Sequence, residues 1–96
     1  MPYDSFVHGT NLPGGDLIAE GITDLERGAE TIAAMLVSIG APRLRRLGFV
    51  IATPIPDPER RLYLALAASN PASAHGRFNA LVRRLVSFER AAECAS

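Results

Sequence analysis

Ile18, Ile22, Leu25, Ala29, Ile32, Leu36 and Ile39 recur at spacings of 4-3-4-3-4-3, the period of one apolar face on an α-helix. A strand cannot use that spacing, because its side chains alternate every second residue. The pattern predicts one long helix over residues 16–39. Asp16 is its expected N-cap, and Gly40 with Pro42 its expected stop. Asp16, Glu20, Asp24, Arg27 and Thr31 fall on the opposite face at 100° per residue. Gly21 and Gly28 each cost about 1 kcal/mol relative to alanine inside a helix. The large aliphatics of the stripe, at about 1.5–3 kcal/mol each when buried, outweigh that. A close-packed neighbouring backbone is therefore expected at both glycines.

A second stripe, Ala74, Phe78, Leu81, Leu85, Phe88 and Ala92, is spaced 4-3-4-3-4. It predicts a helix over 71–93, opened by Asn70-Pro71. His75, Val82 and Val86 widen its apolar face on one shoulder, Arg77 and Arg84 line the other, and Arg83, Ser87 and Arg90 point away from the core. Between the stripes, Asp57-Pro58-Glu59 sets an N-cap, a proline at the first helical position and an acid in the first turn of a helix over 57–69. Residues 41–48 read as a single separate turn ended by Gly48. Residues 49–55 read as an extended connector, since Pro54, Pro56 and Pro58 exclude a long central strand.

The expected architecture is all-α: one domain over 1–96, a small three-helix bundle with two long antiparallel helices, an irregular N-terminal arm over 1–15, a Pro-rich connector and a frayed tail at 94–96. The alternative is α+β, with residues 3–7 and 49–52 forming a two-stranded ribbon. Three helices leave apolar surface to spare, which predicts a homodimer with Val82 and Val86 at the contact.

Composition narrows the class further. A chain of 96 residues that is 48% apolar and 21% charged has the balance of a folded domain, which argues against disorder. No apolar run approaches the roughly 18–20 residues needed to span a bilayer. Met1-Pro2-Tyr3-Asp4 lacks the basic start and apolar stretch of a signal peptide, so a cytoplasmic protein without a membrane partner is expected. Cys94, the one cysteine, excludes an intrachain disulfide and a cysteine-based zinc cage.

The formal net charge of zero conceals a polarity. Residues 1–42 carry Asp4, Asp16, Glu20, Asp24, Glu26 and Glu30 against Arg27 alone, a net of −5. Residues 43–96 carry Arg43, Arg45, Arg46, Arg60, Arg61, Arg77, Arg83, Arg84 and Arg90 against Asp57, Glu59, Glu89 and Glu93, a net of +5. There is no lysine, and arginine is the better bidentate partner for carboxylate or phosphate.

Reactive groups are few. His8 and His75 are the only imidazoles, and no metal-binding, redox or nucleophile motif occurs. Residues 12–16 are glycine-rich before a helix but lack the Lys-Ser/Thr of a phosphate loop, and Asp16 would repel a phosphate. Glu20/Asp24 and Glu26/Glu30 are i,i+4 carboxylate pairs off the apolar stripe, expected to be solvated. His75 is expected to be a partly buried structural residue. No catalytic residue, cofactor or metal is expected.

The arginines remain. Arg77, Arg83, Arg84 and Arg90 form one basic cluster and Arg43, Arg45 and Arg46 a second. They are expected either to bind a partner or to bridge internally to the acidic first helix. The functional expectation is a non-enzymatic protein–protein interaction module, such as a small bacterial regulator, antitoxin-like partner or inhibitor. The alternative is a regulator that binds nucleic acid through the arginine-rich half.

Overall fold

The computed structural model describes residues 12–95. They form four helices: α1 (Gly15–Glu26), α2 (Ile32–Arg46), α3 (Pro58–Ser69) and α4 (Ala74–Ala95). The protein is all-α; no strand occurs among the described residues. Residues 3–7, and with them the ribbon alternative's first strand, lie outside the described residues.

The long helix expected over 16–39 is two helices. Gly28 adopts φ 75°, the left-handed conformation that glycine tolerates at a helix end. Its N–H donates to the Leu25 carbonyl at 3.1 Å, and the Ala29 N–H donates to the Asp24 carbonyl at 2.8 Å. This crossed pair of bonds satisfies carbonyls that would otherwise end α1 unpartnered. Thr31 then restarts the chain: its hydroxyl accepts from the Ala34 N–H at 3.1 Å and donates to the Asp24 carboxylate at 2.6 Å. One side chain thus caps α2 and ties it to α1. Asp24, expected on the solvated face, is buried because Thr31 draws it inward. At the other end, the N-cap is Gly14 rather than Asp16, which lies in the first turn.

Gly21 does mark a close approach. A Cβ there would collide with the Ala33 carbonyl oxygen and a Val37 methyl, so α2 turns back along α1 at backbone contact. Gly28 has no atom near an added Cβ; its role is the turn.

Gly40 and Pro42 do not stop α2, which absorbs the turn expected at 41–48. Gly40 faces α4 instead: a Cβ there would lie 2.7 Å from Glu89 Oε2 and 2.9 Å from Leu85 Cδ1. Pro42 is exposed inside the helix. The stop is Gly48, at φ 104°, where Gly48 N–H donates to the Arg45 carbonyl and Phe49 N–H to the Leu44 carbonyl, both at 3.0 Å. Both long-stripe helices therefore end in the same glycine motif. Arg43, Arg45 and Arg46 in the last turn of α2 favour its negative end.

α2 packs against each of the other three helices. Ala33, Ala34, Met35, Leu36, Val37, Ala41 and Leu44 on it are buried, and all of these but Ala33 join one core with Ile18 of α1, Leu62 and Leu66 of α3, and Leu85 and Phe88 of α4. The connector over 49–57 closes one end through Ile51 and Ile55, as its sequence suggests. Two polar side chains hold it. The buried Ser38 hydroxyl donates to the Ala34 carbonyl at 2.8 Å and accepts from the Ile55 N–H at 3.0 Å. Arg45 Nη2 donates to the Ile51 carbonyl at 2.8 Å.

α3 starts where expected, with Pro58 in its first turn, but Asp57 takes a left-handed conformation (φ 52°) and its side chain makes no capping bond. α4 opens three residues later than the 71–93 reading and runs through the tail to Ala95. The Asn70 side chain accepts from the Ala72 N–H at 3.1 Å, holding residues 71–73 in a turn before the helix. No helix among the described residues is long and apolar enough to cross a membrane.

Candidate interaction surface

α4 packs on α2 and α3 through its stripe: Ala74, Leu85 and Phe88 are buried, and Phe78, Leu81 and Ala92 pack at the edge of the core. The inward face fixes the outward one. Arg77, Arg83, Arg84 and Arg90 are all exposed, and none of them makes an ion pair with a described residue. Arg83 and Arg90 lie on one line, one heptad apart; Arg77 and Arg84 lie on another. Exposed Gly76, Ala80 and Ser87 run between the lines. The row from Arg77 to Arg90 is about 20 Å long at 1.5 Å per residue. Val82 and Val86 are half-buried on the shoulder beyond Arg83 and Arg90.

The second arginine cluster is engaged differently. Arg43 reaches from α2 to α4, with Nη2 2.8 Å from Glu93 Oε1 and Nη1 3.8 Å from Glu89 Oε1. Arg45 holds the connector. Arg46 is exposed. Two of the three thus have internal partners, which leaves the α4 face as the arginine surface without them.

The internal bridges foreseen between the arginine-rich half and the acidic half reduce to one among the described residues: Arg61 Nη2 to Glu30 Oε1 at 2.8 Å, tying α3 to the α1–α2 turn. Arg27 stands 4.0 Å from Asp24 on α1 itself. Asp16, Glu20 and Glu26 stay exposed on the outer face of α1. A shallow open depression lies there, lined by Ala19, Glu20, Thr23, Asp24 and Arg27.

Glu89 is a further buried polar residue that the sequence reading does not anticipate. It is buried at the crossing of α4 with Gly40. Burial pushes its carboxyl above the ordinary glutamate value, and the guanidinium groups of Arg43 and Arg46 pull it partly back. A signal was present: Glu89 follows Leu85 by four residues and precedes Ala92 by three, on the helix stripe itself.

His75 is exposed rather than tucked into the apolar face. Its ring stands edge-on to Tyr63 at 6.5 Å, and its Nε2 lies 3.2 Å from Asn79 Nδ2. Tyr63 also meets Phe78 at 5.7 Å, so the imidazole belongs to an α3–α4 packing cluster. His8 lies outside the described residues. Cys94 is exposed and free. No group of three or more metal-ligating side chains assembles among the described residues. No family model, curated protein or solved structure matches the chain.

Proposed function

We propose that the protein is a non-enzymatic interaction module that docks an acidic protein surface on the outer face of α4. This is the chemistry expected of a small bacterial regulator, an antitoxin-like partner or an inhibitor. The observation that carries the reading is the set Arg77, Arg83, Arg84 and Arg90, exposed together on one helix without a described acidic partner. Unpaired guanidinium groups recognise carboxylates through bidentate hydrogen bonds. Arg43 and Arg45 support the scaffold beneath, and Arg46 adds positive charge at the end of α2.

Nucleic acid is the second reading, favoured by that same absence of acids along the α4 row. The zero net charge counts against it, because long-range attraction to a polyanion scales with the charge of the whole chain.

Replacing Arg83 and Arg90 by glutamate tests both. The two side chains point to solvent, so the variant should melt within about 0.5 kcal/mol of the parent. A fluorescent polyglutamate peptide should bind the parent and lose binding to the variant. If a random-sequence duplex DNA binds more tightly than the peptide, with affinity falling steeply in salt through counterion release, nucleic acid is the better reading. If neither probe binds, or the variant binds as the parent does, the α4 reading is wrong.

A further inference from the structure

The fold leaves two outward helix faces of opposite net charge. On α4, half-buried Val82 and Val86 stand one turn apart beside exposed Arg83 and Arg90. On α1, Asp16, Glu20 and Glu26 are exposed on the outer face, where a shallow depression is lined by Ala19, Glu20, Thr23, Asp24 and the exposed Arg27. The other acids of this region are engaged internally, Asp24 by Thr31 and Glu30 by Arg61. Asp16, Glu20 and Glu26 on α1 thus have no ion pair among the described residues, and neither have the four arginines of α4.

We propose that α4 of one copy docks on α1 of a second copy. The ridge of Val82 and Val86 sits in the depression over Ala19 and Thr23, and Arg83 and Arg90 face Asp16 and Glu20. This rests on the reading of α4 as a docking face and names its occupant. Charge complementarity selects the second copy: Asp16, Glu20 and Glu26 outnumber the single cation Arg27 on the outer face of α1, so the acidic surface that α4 lacks is present on the same chain. The zero net charge, which weakens attraction to a polyanion, also removes the overall repulsion that would keep two copies apart. Arg83 and Arg90 are about 10 Å apart along their helix and Asp16 and Glu20 about 6 Å; long guanidinium arms close that difference. In a two-fold pair the contact forms twice, and the assembly is closed. Exposed ion pairs are weak and screened, so the association is salt-sensitive.

Light scattering and sedimentation of the full chain test this. At about 0.01 M salt the protein should self-associate, and at about 1 M, where screening reaches within a few ångströms, it should be monomeric. Arg83→Glu with Arg90→Glu, and separately Asp16→Arg with Glu20→Arg, should each weaken association at least roughly tenfold, about the effect of 1.4 kcal/mol. Mixed in equal amounts, the two variants should pair, because each reversed face then meets its opposite in both contacts. If Asp16→Arg with Glu20→Arg does not fold, Asp16→Asn with Glu20→Gln should still weaken association. A parent chain that is monomeric at low salt, or a mixture that associates no better than either variant alone, overturns the second copy as occupant. If that monomeric chain still binds the polyglutamate peptide through Arg83 and Arg90, docking on α4 stands without self-association. If it does not bind, both readings fall.

Discussion

Alanine at position 21 should be among the most costly small changes this fold can suffer. In an isolated helix the substitution is favourable by about 1 kcal/mol, since glycine loses more backbone entropy on folding. Here the added methyl meets the Ala33 carbonyl oxygen and a Val37 methyl well inside van der Waals contact. The oxygen belongs to the backbone of α2 and cannot rotate away, so α1 and α2 must separate along their shared face. Overpacking of that kind costs about 1–3 kcal/mol, and the rigid partner places it at the upper end. Subtracting the helix gain leaves roughly 2 kcal/mol of destabilisation, or about 8–16 °C in Tm for a domain of this size. Gly76 is the internal control: it also lies in a helix, but nothing approaches its added Cβ. Gly76→Ala should therefore raise Tm by a few degrees, the part of about 1 kcal/mol that a first-turn position can realise. Thermal melts followed by far-UV circular dichroism measure both. A Gly21→Ala chain that melts at or above the parent would falsify the backbone contact between α1 and α2.

Two further substitutions probe the polar contacts. Thr31→Ala removes the α2 cap and the hydroxyl bonded to buried Asp24; urea titration should show a loss of about 1–2 kcal/mol. Glu89→Gln should stabilise the protein at neutral pH. The raised pKa of Glu89 means that the folded state holds its proton to higher pH than the unfolded chain. The native protein therefore gains stability as pH falls through the folded value towards the ordinary one, and loses it again on the way up. Melts between about pH 4 and pH 8 should show the glutamine variant ahead at the neutral end and the gap closing at the acid end; a constant gap would mean that the charge is not the cause.

The apolar spacing identified helices but not their number. The turn over 27–31 keeps the 4-3 register because Ala29 happens to stand where a continuous helix would place an apolar residue. Gly28 and Thr31, a stop and a start three residues apart, carry the break. Gly28 stands seven residues after Gly21, the spacing of a second packing glycine on the same helix face, and that hides the stop. Gly40 and Pro42 are the converse case: two residues with breaker chemistry sit inside α2, and Gly40 is needed there for the approach of Leu85 and Glu89. Local sequence cannot distinguish these cases, since the deciding atoms belong to helices distant in the chain. The α4 arginines were legible because the stripe beneath them fixes which side faces out. The internal engagement of Arg43 was not, as Glu93 is 50 residues away.

The position of α2 has an evolutionary consequence. Nine of its fifteen residues are buried, and the small ones among them, Ala33, Ala34, Gly40 and Ala41, set how near its three neighbours can come. Drift at those positions must be compensated on another helix at the same time, so descendants of this chain are held to small residues there. The outer face of α4 carries no such constraint from the fold. Its arginines can be exchanged without disturbing the interior, so their persistence or loss among descendants records selection on what the face binds, separately from selection for a folded chain.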